Sequence, residues 1–259
     1  MKAPRIDATI ERRLLINYRI EPESIAAVLP APFRPAIVEG YGIAGICLIR
    51  LADVRPVGVP APLGLTSENA AHRVAVQWDT PTGSVTGVYI PRRDTSSRVA
   101  ALVGGRLFPG WLHRARFEVE ERDHHFRIQV QSHDGEVAIS VRAHRADSVM
   151  PDSIFDSLEA ASQFFQTAPA GYSQTRRDDV FDGVELSTDG WGMSPLHLDE
   201  VASSFFDDRE RFPRDAVSLD SAFLMAGLTT RWRPQSNLVA STSPRRVGRH
   251  AVQGSTRTR

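Results

Sequence analysis

Residues 113 to 145 contain three alternating stretches in a row: HRARFEVEE (113–121), HFRIQVQS (125–132) and EVAISVRAHR (136–145). Apolar side chains recur at every second position, which is the period of a strand with one buried face. The links between them are short, HDG lying between the last two, and such links join only antiparallel neighbours. An antiparallel meander is therefore expected here. Its apolar face has to be covered by further sheet or by helices, which limits the chain to folds built around a sheet.

The flanking sequence supplies more of both. RRLLINYRI (12–20) reads as extended, and EPESIAAVLP (21–30) as a short helix with Pro22 at its first position, Glu23 at the positive end of the dipole and Pro30 as its stop. GIAGICLIRLADV (42–54) is a buried strand, followed by a loop over RPVGVPAPLGL (55–65). HRVAVQWD (72–79) and SVTGVYIPR (84–92) form a hairpin across TPTG. Between Thr95 and Phe108, Val99, Leu102, Val103 and Leu107 recur at helical spacing, with Thr95 or Ser96 as the cap. A third helix is expected over SIFDSLEAASQFFQT (153–167), opening at Ser153. Strands follow near DVFDGVELS, LHLDEVASSFF and DSAFLMAGL. The fold class is α+β: a strongly curved or closed antiparallel β-sheet with a few short flanking helices. One domain is expected over residues 1–230. From about Arg231 the sequence is rich in Arg, Ser, Thr and Pro, and a disordered basic tail is expected over 231–259.

Composition removes several functions. The formal net charge is zero, no acid follows Asp220, and the basic tail has almost no interleaved aromatics, so nucleic acid is not an expected partner. No stretch is apolar enough to span a bilayer and the N-terminus has no apolar core of a signal peptide, so the expected location is cytoplasmic, with no membrane partner. Cys47 is the only cysteine and lies in an apolar run, which reads as a buried free thiol. Of 31 basic residues only Lys2 is a lysine. Chemistry that needs an interior amine has no residue to use, because a guanidinium stays protonated.

GYGIAG (40–45) matches a dinucleotide-binding glycine pattern, but ICLIRL after it reads as strand where that pattern needs a helix. No Gly-x-Ser-x-Gly elbow or phosphate-binding Gly-Lys loop is present, and no two histidines have metal-ligand spacing on a helix. No metal or other cofactor is expected. The candidates that remain are Glu68, Arg73, Arg106, Trp111 and His113. Glu68 follows a loop, where a carboxylate facing a cavity could act as acid or base. Arg106 could pair with a carboxylate ligand, although a cation there also complements a helix end.

INYRIEPESIAAVLPAPF, TSENAAHRVAV, ALVGGRLFPGW and LHLDEVASSFF, in this order and spacing, resemble the acetoacetate decarboxylase superfamily, including its uncharacterised YqjF-like branch. The resemblance covers most of residues 12–228 and implies a cone-like antiparallel barrel with an apolar interior. In that family a lysine of depressed pKa forms a Schiff base with a β-keto acid. The family's amine pair follows an aromatic-proline step similar to Phe108-Pro109, and Gly110 and Trp111 stand in its place here. Glu68 falls at a catalytic glutamate of the family. A second acidic position falls on Cys47, and an early arginine falls near Glu11, beside Arg12 and Arg13.

The resemblance implies a small-molecule ligand, a small organic acid or carbonyl compound, bound in an apolar cavity without decarboxylation. Arg106 and Arg73 would contact the ligand, Trp111 would form an apolar wall, and Glu68 or His113 would move a proton if chemistry occurs. A homo-oligomer is compatible with this reading. The alternative is an imine-independent acid/base enzyme, a hydratase, isomerase or lactone-opening activity on a keto acid derivative. A third is an interaction scaffold whose interior is filled by its own side chains.

Overall fold

The computed structural model describes residues 4–60, 63–106, 108–168, 170–177 and 179–240. Among these the elements run β1 (Ile6–Ile20), α1 (Pro22–Ala27), β2 (Arg34–Pro35), β3 (Ile37–Val38), β4 (Tyr41–Pro56), β5 (Leu65–Thr80), β6 (Gly83–Thr95) and α2 (Arg98–Val103). They continue with β7 (His113–Arg122), β8 (His125–Ser132), β9 (Ala138–Arg145), α3 (Leu158–Gln166), β10 (Ala170–Gln174), β11 (Val180–Asp189), β12 (Ser194–Ser203) and β13 (Val217–Val239). None of the described helices is long and apolar enough to cross a membrane.

The strands form one sheet that closes on itself in two ways. The run β13-β1-β4-β5-β6 is common to both rings. On one side β10 and β11 return from β6 to β13, and on the other β7, β8, β9 and β12 do so. The meander of β7, β8 and β9 is antiparallel with the expected alternation: Phe126, Ile128 and Val130 of β8 are buried while His125, Arg127 and Gln131 are exposed. The sheet is mixed, because the short contacts of β6 with β7 and with β10 are parallel.

Because side chains alternate along a strand, the shared run has two different faces. Leu14, Ile16 and Tyr18 of β1 and Ile46 and Leu48 of β4 pack into a large core with Ile128, Val130, Ile139 and Val141 of the meander. Leu15 and Cys47 point the other way, into a smaller cluster with Phe223, Met225 and the α3 residue Ala161. Phe33 joins the first core and packs at 5.7 Å from Trp78 and 4.9 Å from Phe181.

Several boundaries differ from the sequence expectation. β5 starts at Leu65, so it takes up residues read as loop and places Glu68 within the strand. α2 is capped by Ser97, whose hydroxyl accepts the Ala100 amide at 3.1 Å, rather than by Thr95 or Ser96. Leu107, counted in that helix, lies outside the described residues. α3 opens at Ser157, not Ser153: Asp220 accepts the Ile154 amide at 2.8 Å and the Ser153 hydroxyl at 3.1 Å, which holds that segment out of the helix. The basic tail does not begin at Arg231. β13 carries on to Val239, and Arg231, Trp232, Arg233 and Pro234 pair with Ser187, Leu186, Glu185 and Val184 of β11. Their backbone groups bond to a neighbouring strand and Trp232 turns inward, so this segment completes the ring. Residues 241–259, the rest of the expected tail, lie outside the described residues.

Candidate functional site

The ring that includes β10 and β11 surrounds a cavity of about 1000 Å³. Its walls are mainly apolar: Ile49 and Leu51 of β4, Ala71 of β5, Val88 and Ile90 of β6, Val184 and Leu186 of β11, with Phe164 and Phe165 at the end of α3. Leu65 and Val99, both exposed, stand at its rim. Every charged side chain among the described lining residues is an arginine, namely Arg13, Arg55, Arg73 and Arg93, and none is a carboxylate.

Strand register explains how three of these converge. Leu15, Cys47, Ala71 and Arg93 form one row across β1, β4, β5 and β6. Arg13 lies two residues from Leu15 on one side of Cys47, and Arg73 lies two residues from Ala71 on the other. Such diagonal neighbours are within reach of long side chains. Arg13 donates through Nη2 to Cys47 Sγ at 3.5 Å. Arg73 donates through Nη2 to Asn17 Oδ1, and Asn17 donates to Ser221 at 3.1 Å. The Arg73 guanidinium also lies 4.9 Å from the centre of the Phe165 ring. A side chain at Gly45 could not be accommodated, since its Cβ would fall 2.3 Å from the Ile16 carbonyl and 3.3 Å from Arg73 Nη2.

Electrostatics make this corner unusual. Burial lowers the pKa of Arg73, which is only 6% exposed. Burial also opposes ionisation of Cys47, but the charges and hydrogen bonds of Arg13 and Arg73 outweigh it and hold the thiol below its ordinary pKa. The Nε groups of Arg13 and Arg73 are buried without a hydrogen-bond partner.

Arg93 meets the Phe108-Pro109-Gly110 corner. It donates to the Pro109 carbonyl at 3.4 Å, and a Cβ on Gly110 would lie 2.5 Å from its Nη1. Gly110 also has a φ of +91°, so both backbone and space require glycine. Burial brings the pKa of Arg93 down to about 10, with Asp182 acting in the opposite sense. The guanidinium remains a cation at neutral pH.

On the opposite face the charges are matched. Arg12, 3% exposed, donates to Glu68 and Glu121, while Arg50 bridges the same two carboxylates at 2.6 and 3.3 Å. Arg92 holds Asp94 and Asp134, each at 2.8 Å. Asp134 also accepts from Ser132 and the Glu136 amide, and these bonds together hold its pKa well below the usual range despite some burial. His72 stacks on Phe205 at 4.7 Å, and burial, with Arg211 and Arg92 nearby, lowers its pKa to about 3.

Of the five residues singled out from sequence, Arg73 lines the cavity. Glu68 is in the ion-pair cluster behind the β5 wall, with both carboxylate oxygens engaged. His113 pairs with Asp134 at 3.0 Å, and Trp111 lies under Arg176 at 4.6 Å on the same corner. Arg106 is exposed and donates to the Leu102 carbonyl at 3.3 Å. The cavity adds Arg13, Cys47, Arg93 and Phe165 to these. The doublets Arg12-Arg13, His72-Arg73 and Arg92-Arg93 were the available signal: in a strand, each must send one basic side chain to either face. Among the described residues no group of three or more His, Cys, Asp or Glu side chains is placed to hold a metal ion.

The fold is similar to that of solved structures of acetoacetate decarboxylase and related enzymes. Acetoacetate decarboxylase from Legionella pneumophila superposes with a TM-score of 0.57 at 12% identity, over 92% of this chain and 87% of that one. An acetoacetate decarboxylase-like enzyme from Sphingomonas wittichii RW1 gives 0.55 at 11% identity, over 92% and 93%. The enduracididine biosynthesis enzyme MppR, in complex with pyruvate, gives 0.53 at 11% identity, over 93% and 91%. No curated protein matches in sequence. A family model does: residues 7–201 match DUF2071, described as an uncharacterized conserved protein, and the chain belongs to that family.

Proposed function

We propose that the protein binds a small organic acid or an acid-bearing carbonyl compound in the β10–β11 cavity, and that it does not decarboxylate through a Schiff base. The observation that carries this is the lining: an apolar cavity of about 1000 Å³ in which, among the described residues, every charged group is an arginine and none has a lining carboxylate opposite it. Retaining such charges in an apolar site is costly unless something neutralises them. A bound carboxylate would do so, accepting paired N–H donors from Arg73, with Arg13 or Arg93 as a second cation. Phe165, Val88 and Leu186 would cover its apolar part. The pyruvate complex of MppR, a protein of the same fold, is in keeping with such a ligand.

The absence of imine chemistry rests on the sequence. The only lysine is Lys2, outside the described residues, and Gly110 borders Arg93 where the family resemblance puts an amine. The reading takes the protein as cytoplasmic, in line with a single buried thiol that has no cysteine to pair with inside the chain.

Thermal unfolding with pyruvate, acetoacetate, acetone and acetamide tests the ligand class. The acids should raise Tm progressively as their concentration rises, with the logarithm of concentration once above Kd, and the neutral compounds should not. Equal stabilisation by acetone would remove the anion-binding reading. Borohydride added with acetoacetate should leave no reduced adduct within residues 4–240, and an adduct there would restore imine chemistry.

A further inference from the structure

We infer that Cys47 is a nucleophile that adds reversibly to the carbonyl carbon of a 2-oxo acid whose carboxylate is held by Arg13 and Arg73. The inference rests on the acid-binding reading and adds a covalent step to it. Cys47 lines the cavity at the centre of a register row, with an arginine reaching it diagonally from the strand on each side. Ser67 and Thr167 also line the cavity, but no His, Asp or Glu is among the described lining residues to take a proton from either hydroxyl. A thiol does not need such a base when cations favour its ionised form.

An independent observation points to a ligand at the same place. Both arginines keep a buried Nε–H without a partner, and Arg73 is more than nine-tenths buried. A carboxylate bound between the two guanidinium groups would neutralise both. Arg13 Nη2 is 3.5 Å from Cys47 Sγ, so an anion held at that guanidinium brings the next carbon of the ligand towards the sulfur. In a 2-oxo acid that carbon is the ketone.

The step balances without a further reagent. The thiol proton leaves to solvent and the sulfur electron pair forms an S–C bond to C2. The C=O π bond breaks, its electrons stay on oxygen, and the oxygen takes a proton from solvent through the open rim. The product is a hemithioketal, and the reverse sequence releases the acid unchanged.

The test uses the full chain with [2-13C]pyruvate and 3-bromopyruvate. At saturation, the C2 resonance of bound pyruvate should move from the ketone to the tetrahedral range in the wild type, while Cys47→Ser binds pyruvate with C2 still a ketone. Bromopyruvate, which forms S–C with loss of bromide, should label Cys47 on the order of tenfold faster than free cysteine at the same pH. Acetate should slow that labelling, and iodoacetamide, which has no carboxylate, should lose the advantage. Pyruvate bound by the wild type as an unchanged ketone would overturn the covalent step and leave acid binding in place. Labelling no faster than free cysteine would also overturn it. If neither pyruvate nor acetate binds, the acid-binding reading falls and this one with it.

Discussion

The two faces of β1, β4, β5 and β6 use the same residue type in opposite ways. Towards the meander, Arg12 and Arg92 are matched with Glu68, Glu121, Asp94 and Asp134. Towards the cavity, their sequence neighbours Arg13 and Arg93 have no such partner within salt-bridge distance among the described residues, and Arg73 has only a neutral amide and a thiol. The matched face is a structural joint, because its arginines are paired with carboxylates of the chain. On the function proposed above, the unmatched face is completed by a bound acid. The difference teaches that a buried arginine is informative through what stands opposite it.

The comparison breaks first at Arg12. Arg12→Met leaves Glu68 and Glu121 with only Arg50 between them, and removing one partner of a buried ion pair costs about 3–5 kcal/mol. Urea unfolding should show that loss with pyruvate binding retained in the folded fraction. Arg73→Met should do the reverse. It should cost about 1–3 kcal/mol in stability, the penalty for leaving the buried Asn17 Oδ1 without its donor, and weaken pyruvate binding by about tenfold or more in calorimetry. A destabilisation at Arg73 as large as that at Arg12 would erase the distinction between the faces.

His72 offers a pH test of the matched side. The unfolded chain takes up this proton below about 6.5, whereas the folded protein takes it up only near 3. Between those values the unfolded state binds more protons, so stability falls as pH falls, by up to about 1.4 kcal/mol per pH unit for one group. The contribution is complete above 6.5 and gone below about 3. His72→Gln should flatten that part of the stability profile. A change of about 1–2 kcal/mol is expected from Gly110→Ala, from the strain of positive φ and the displacement of Arg93. A wild-type pyruvate affinity in that variant would show that Arg93 takes no part in binding.

Much of the architecture is legible in the sequence because one solvated face leaves a period of two. The β7–β9 meander and the β5–β6 hairpin stand out in this way, and the three helices stand out by caps, prolines and helical spacing. The end of β13 does not: in Arg231-Trp232-Arg233-Pro234 the basic residues mask the strand, and only the pairing with β11 shows that Trp232 faces inward. The site is less legible still. Alternation says that Arg12 and Arg13 part company, but it does not say that Glu121, 109 residues from Arg12, will reach one and not the other. Glu68 stands out in sequence as a carboxylate after a loop, and the earlier start of β5 makes it a strand residue facing the charged cluster. Cys47 reads as an inert apolar position because nothing nearby in sequence announces Arg13 and Arg73 beside it.

The long strand β13 carries a cost that appears only while the protein is being made. It pairs with β1, beginning where Ile6 meets Trp232, and with β11 and β12, so both rings depend on it. A chain emerging from the ribosome therefore holds the free edges of β1, β11 and β12 open until β13 has been synthesised. Closure waits on contacts between β1 and β13, such as Asn17 with Ser221 at a separation of 204 residues, and such distant contacts are slow to form. Until then those apolar edges are templates for pairing with other chains. Truncation before Val217 should thus give an aggregating product rather than a smaller folded one, and expression should depend on chaperones that shelter the nascent chain.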